Sequence, residues 1–220
     1  MLKIAILDSG YGGEFFADRL ESELPIVKTI RIIDWRHAEQ YLTNYKTARE
    51  LATEALRPYI GKVDLIILAN HLLSLTSLKY FRRKYPQQSF LGLELKAPDT
   101  FVKRDIIMIT TKAVTKTMGY HGFIFGLHRS IKTIALDSWP AKIDDGELSH
   151  AEIAEVLTKF LNSKKLHPQE VILGCSQFED IKPNLKQFFG KRIRIYSSFD
   201  DTIREACKLL RIRGGVNKRK

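Results

Sequence analysis

Cysteine is scarce in this chain: 220 residues contain only Cys175 and Cys207, in no CxxC or Cys/His arrangement. That excludes a disulfide-built scaffold and gives no spacing for a structural zinc, so no metal is expected. No apolar run approaches the roughly 20 residues that span a bilayer, so no membrane partner is expected either. Met1-Leu-Lys-Ile-Ala-Ile-Leu7 opens like a signal peptide, but Asp8 ends the run early and no small-residue cleavage site follows. The expectation is the first strand of a cytoplasmic protein. The dinucleotide fingerprint GxGxxG is also missing, because Asp8-Ser-Gly-Tyr-Gly-Gly13 has a different spacing. Glycines at such a strand-to-helix turn can admit an anion to a helix N-terminus, or serve only the tight turn.

Acidic residues are outnumbered. Lys and Arg total 36 against 25 Asp and Glu, a net charge of +11. Such basicity suits nucleic acid or anionic partners. The excess is scattered over Arg82-Arg83-Lys84, Lys164-Lys165, Lys191-Arg192 and the tail from Arg211 to Lys220. A solvated surface with a basic tail accounts for this pattern better than a nucleic-acid partner does.

What the chain does have is two similar apolar runs that stop at small polar side chains. One is Asp64-Leu-Ile-Ile-Leu-Ala-Asn-His-Leu-Leu-Ser-Leu75; the other is Glu170-Val-Ile-Leu-Gly-Cys-Ser-Gln-Phe-Glu179. Short continuous apolar runs suit strands buried on both faces of a parallel sheet. Chemistry in such sheets sits beyond the carboxyl ends of the strands. Asn70 and His71 then stand at one tip, and Cys175, Ser176 and Gln177 at the other. Strands are expected at 4–7, 27–33, 65–68, 90–93, 106–109, 133–136, 171–173 and 193–196. Helices are expected after Gly13, over 37–57, over 72–85, from Val114 to Tyr120, over 149–161 and over 200–210. Ser149 followed by Glu152 has capping-box spacing, and Pro140 through Asp144-Asp145-Gly146 reads as a loop. Alternating strands and helices call for an α/β fold: two similar lobes, each with a central parallel sheet flanked by helices, and an active-site cleft between them. The expected boundaries are 1–93 with 198–214 for the first lobe, 94–197 for the second, and 215–220 for a basic tail. Cys207, in the amphipathic pattern Ile203, Ala206, Leu210, is expected in a core.

Ile4-Ala-Ile-Leu-Asp-Ser-Gly-Tyr-Gly-Gly13 resembles the opening Asp-Ser-Gly-x-Gly-Gly motif of glutamate racemases, in the aspartate/glutamate racemase superfamily. Leu173-Gly-Cys-Ser-Gln-Phe178 resembles their Leu-Gly-Cys-Thr-His-Tyr motif. Thr111 to Tyr120 is similar to the Thr-x-Ala-Thr and Ser-x-x-Tyr segment between, and Asp64 to Ala69 to the strand that delivers Ala-Cys-Asn-Thr. The resemblance spans nearly the whole chain. It implies proton transfer at the α-carbon of a dicarboxylic amino acid, with no cofactor, by two thiols on opposite faces of the substrate. It also implies a homodimer and a role in amino-acid and cell-wall metabolism.

The chain departs from that pattern where the first thiol should stand. Asn70 falls at the cysteine position and His71 at the following asparagine, which leaves Cys175 as the one thiol of the pair. Gln177 replaces the histidine beside it, and Phe178 replaces the tyrosine. The family's carboxylate-binding Pro-Tyr-Gly loop is represented at most by Gln40-Tyr41-Leu42, and its helper glutamate by Asp144. The resemblance makes Cys175, His71 and Asp8 the catalytic candidates. Ser9, Asn70, Thr111, Thr117, Tyr120, Ser176, Gln177 and Tyr41 are the candidates for holding a small carboxylate or amino acid. An amide cannot replace a thiol as base, whereas imidazole titrates near neutrality. Three readings follow: an amino-acid racemase using Cys175 against His71 or a water; a one-thiol decarboxylase or isomerase of the same superfamily; and a non-catalytic carboxylate-binding or nucleic-acid-binding relative.

Overall fold

A computed structural model describes residues 1–95, 105–126 and 131–212, the side chains of residues 42, 125 and 126 excepted. The expected basic tail at 215–220 lies outside them. Two four-stranded parallel sheets form the frame. The first runs β2 (Val27–Ile33), β1 (Leu2–Asp8), β3 (Leu65–Leu68), β4 (Phe90–Gly92). The second runs β6 (Ile131–Ala135), β5 (Ile106–Thr110), β7 (Glu170–Leu173), β8 (Arg194–Ser197). The topology is the same in both. In each, the chain reverses its winding between the two central strands, β1 beside β3 and β5 beside β7. Parallel sheets open a crevice at such switch points, beyond the strand C-termini.

Both faces of the central strands are covered, which is why their sequences do not alternate. Ile4 and Ile6 pack with Phe16 and Leu20 of α1 (Tyr11–Glu23) and with Phe199, Ile203 and Cys207 of α10 (Ser198–Leu209). Ala5 and Leu7 point the other way, onto Ala48, Ala52 and Leu56 of α3 (Tyr45–Leu56) and Leu73 and Phe81 of α4 (His71–Lys84). In the second sheet Ile107, Ile109 and Val171 meet Trp139 of α7 (Trp139–Asp144), Ile153 and Leu157 of α8 (His150–Lys164) and Leu185 of α9 (Lys182–Phe189). Ile106, Met108 and Ile172 pack with Val114 of α5 (Lys112–Thr115), Tyr120 of α6 (Met118–Gly126) and Leu72 of α4. That last cluster joins the lobes. Each fully buried aliphatic side chain contributes roughly 1.5–3 kcal/mol.

Three expectations, two helices and one loop, are corrected. The single helix over 37–57 is a 3₁₀ turn at Trp35–His37, then α2 (Ala38–Thr43) and α3. Asn44 divides α2 from α3 because its Oδ1 accepts from the backbone N–H groups of Lys46 at 3.1 Å and Thr47 at 3.3 Å, a local bond that competes with continued helix. The Pro140 loop is instead α7, since proline is tolerated in a first helical turn and Trp139 anchors the segment in the core. The helix from Val114 breaks at Thr117, whose Oγ1 accepts from the Tyr120 backbone N–H at 3.0 Å and restarts α6. At α8 the predicted cap forms, with Glu152 N–H donating to Ser149 Oγ at 3.1 Å. Among the described residues no helix is long and apolar enough to cross a membrane.

Candidate active site

Asp8 ends β1 at the first switch point, and its side chain is fully buried. Its Oδ1 accepts from the Ser9 backbone N–H at 2.7 Å and from Asn70 Nδ2 at 3.2 Å. Its Oδ2 lies 3.0 Å from Ser176 Oγ, across the lobe boundary. Burial outweighs these bonds and pushes the carboxyl up to about 7. Asn70 follows β3. Besides holding Asp8, its Oδ1 accepts from the Leu73 N–H at 3.0 Å and so caps α4. Ser9 is buried beside it, its Oγ 3.5 Å from Asn70 Nδ2.

At the second switch point Cys175 precedes a 3₁₀ turn, Ser176–Glu179. The residue is 6 % exposed, and its thiol donates to Gln177 Oε1 at 3.0 Å. Burial, with the Asp8 and Asp144 carboxylates as lesser causes, pushes the thiol well above its ordinary value, so it holds its proton. Ser176 has one hydroxyl proton but two neighbouring acceptors, Asp8 Oδ2 and Gln177 Oε1 at 3.1 Å. When Asp8 is ionised, Ser176 donates to it; when Asp8 carries its proton, it donates to Ser176, which then donates to Gln177. The Gln177 amide also bonds Asp144, whose Oδ1 accepts from the Tyr11 N–H at 3.2 Å. Burial pushes the Asp144 carboxyl up to about 6, with Asp145 and Asp180 adding to it. One hydrogen-bonded chain thus runs from Asn70 in the first lobe to Asp144 in the second.

The glycine motif lets the lobes meet. A Cβ on Gly12 would fall 2.4 Å from Ser176 Cβ and Oγ. One on Gly10 would fall 2.5 Å from Asp144 Oδ2 and 2.6 Å from Gln177 Nε2. Close approach between lobes is therefore what these two glycines serve.

Four of the expected residues lie elsewhere. His71, the first residue of α4, is buried with Nε2 2.8 Å from Ser198 Oγ at the start of α10. Its Nδ1 has no partner among the described residues, and burial pushes the ring down to about 3, so it is neutral. It does not line the cleft, which corrects the expectation of an imidazole facing Cys175. Capping by Asn70 fixes the first turn of α4 and sends the ring toward α10. Tyr41 is fully buried against the α3–α4 core, its hydroxyl kept protonated by burial and by Asp34 and Asp8. Thr117 caps α6, and Tyr120 OH bonds Thr133 Oγ1 at 2.7 Å. Neither of these lines the cleft.

A cleft of about 670 Å³ does open between the lobes. Trp35, Ala38 and Glu39 form the first-lobe wall, and Thr111, Lys112 and Gln177 belong to the second. Of the expected residues, Thr111, Gln177 and Asp144, the counterpart of the helper glutamate, line it. Asp8, Asn70, Ser176 and Cys175 form a polar layer that does not reach its surface. Trp35 and Glu39 were missed from sequence because they belong to no motif of chemistry-bearing residues, and Lys112 because it fills the variable position of the Thr111 segment. Among the described residues no cluster of three His, Cys, Asp or Glu is placed to hold a metal.

Fold and site define a class: a two-lobed, parallel α/β protein with facing switch points and a thiol at one of them. No family profile matches the chain. It is 21% identical to the glutamate racemase of Lysinibacillus sphaericus, over 96% of this chain and 82% of that protein. It shares the fold of Campylobacter jejuni glutamate racemase with a TM-score of 0.81 at 21% identity, covering 100% of this chain and 89% of that one. Escherichia coli glutamate racemase, solved with L-glutamate and the activator UDP-MurNAc-Ala, also gives 0.81 at 21% identity, over 96% and 83% of the two chains. Over most of its length the chain is therefore similar in sequence, and alike in fold, to glutamate racemases.

Proposed function

We propose that this chain catalyses cofactor-independent proton transfer at the α-carbon of an amino acid, as its racemase relatives' names suggest. Cys175 holds the proton on the second-lobe side, and Asp8 replaces the missing thiol as the titratable group on the first-lobe side. One observation carries the reading: these two ionisable groups, one per lobe, are tied to the same Ser176-Gln177 turn. An acid and a base on opposite faces are what inversion requires, and a carboxyl poised near 7 suits a base at neutral pH. Thr111 and Gln177 meet the substrate first. The α-carbon reaches Cys175 and Asp8 when the lobes part along the Gly12–Ser176 seam. His71, neutral and bonded to Ser198, takes no part in proton transfer.

The protonated state of Cys175 favours a second reading, a decarboxylase or isomerase that protonates a carbanion from one side only. The test is α-deuterium incorporation from D₂O into either enantiomer of an amino acid. The intact chain exchanges and racemises, and Cys175→Ala slows both by roughly 10²–10⁴-fold. Exchange with retained configuration selects a one-sided isomerase, and release of carbon dioxide from a substituted malonate selects the decarboxylase. No exchange from any amino acid removes the racemase reading. A homodimer, carried over from the resemblance, is read from the sedimentation mass of the chain.

A further inference from the structure

The cleft is charged opposite to the molecule around it. The chain carries +11, yet the cleft is lined by four carboxylates, Glu39, Asp137, Asp144 and Asp145, against the ammonium groups of Lys112 and Lys116. Lys112 is already matched, with Nζ 3.6 Å from Asp137 Oδ2 and its backbone N–H donating to Asp137 Oδ1 at 2.7 Å. Three carboxylates then face one lysine. Asp144 is crowded by Asp145 and Asp180, and its bonds to Tyr11 and Gln177 supply no positive charge.

The first-lobe wall adds an aromatic face. Trp35 is 44% exposed and stands edge-on to Tyr11, with ring centroids 4.9 Å apart. It lines both the cleft and an adjoining groove with Phe15, Glu14 and Asp18. An open indole face flanked by carboxylates attracts a cation by its quadrupole and by simple Coulomb attraction. A second substrate carboxylate would instead meet Glu39, on the helix α2 that stands where the resemblance places a carboxylate-binding loop.

We infer that the cleft selects an amino acid whose side chain carries a cationic nitrogen, held between Glu39, Asp145 and the Trp35 ring, with its α-carboxylate toward Thr111 and Lys116. This rests on the proposed function for its reaction, but not for its binding. A single opposite charge in a half-exposed site changes affinity roughly tenfold.

The experiment titrates ornithine, lysine and glutamate into the intact chain by calorimetry at low and at 0.5 M salt, alongside α-deuterium exchange with each. Ornithine and lysine bind roughly tenfold or more tightly than glutamate, and salt narrows the gap. Glu39→Lys, at an exposed position that leaves the core untouched, reverses the order; Asp145→Asn weakens the diamino acids without improving glutamate as much. Glutamate binding as tightly as ornithine, or no binding by any of the three, overturns the inference. Exchange with glutamate but not with ornithine also overturns it while leaving the proposed reaction intact. Selective ornithine binding without any exchange supports the site and sinks the reaction.

Discussion

The tips of β3 and β7 occupy equivalent places in two sheets of the same topology, yet they have been put to different uses. At the β3 tip both candidate side chains serve the fold. Asn70 caps α4 and holds Asp8, while His71 is bonded to Ser198 on α10. At the β7 tip, Cys175, Ser176 and Gln177 form a buried network that reaches the cleft through Gln177. The difference teaches that a buried polar network can span the lobes with a thiol at only one of the two tips. Asp8 is buried at the boundary with a carboxyl poised near neutrality.

The largest way to break this asymmetry is Asp8→Asn. The folded carboxyl titrates about 7 and the unfolded one near 3.8, so the protonated acid is favoured in the folded state. That contribution is complete below about pH 4 and is lost as pH rises to 7. The introduced amide mimics the protonated acid, so the variant gains stability over the parent between pH 4 and 7, on the order of 4 kcal/mol at most. It should lose α-proton exchange over the same range. Thermal melts from pH 4 to 8 read the difference; a variant less stable than the parent at pH 8 contradicts the buried-acid assignment.

Gly12→Ala acts on the seam itself. Its Cβ has no room against Ser176, so we expect a loss of about 1–3 kcal/mol together with perturbed Cys175 reactivity toward a thiol reagent. Unchanged melting would mean that the lobes are not held at this point.

His71→Gln sharpens the β3 side. A ring pushed down to about 3 from 6.5 stabilises the fold above its unfolded value and loses that contribution as pH falls. Between pH 8 and pH 5 the parent should lose about 2 kcal/mol that the variant keeps. Equal acid sensitivity in both proteins would show that His71 does not titrate with unfolding. If instead the variant abolishes exchange at pH 8 with its melt unchanged, His71 belongs to the chemistry and the asymmetry is misdrawn.

The smallest effect is expected from Asn70→Ala. Loss of the α4 cap costs about 1 kcal/mol, and Asp8 loses a donor, which pushes its carboxyl up further. A pH profile of exchange displaced upward, with modest destabilisation, marks Asn70 as a positioning residue. An unmoved profile would leave it as a cap alone.

Much of the frame could be read directly because its causes are local. Continuous runs such as Leu65–Leu68 and Val171–Leu173 are strands since both of their faces are buried. Ser149 and Glu152 cap α8 by a bond three residues long. The readings that failed were also local, but hinged on competition: Asn44 and Thr117 each divert backbone N–H groups and interrupt an otherwise helical pattern. The site was legible only in part. Motif spacing pointed to Asp8, Ser176 and Gln177, and the structure brings them together. It gave no hint that Trp35 and Glu39 wall the cleft, because neither sits in a chemical motif and both depend on how α2 packs.

The sequence by itself determined the two parallel sheets, their order of elements and the residues at the strand tips, because apolar runs and turn residues act over a few positions. Only the tertiary structure decided the chemical state of those residues. Whether Asp8 holds a proton, whether His71 is neutral and where the Cys175 thiol donates depend on burial by segments far apart in the chain. Removal from water, not residue type, sets the charge of such groups.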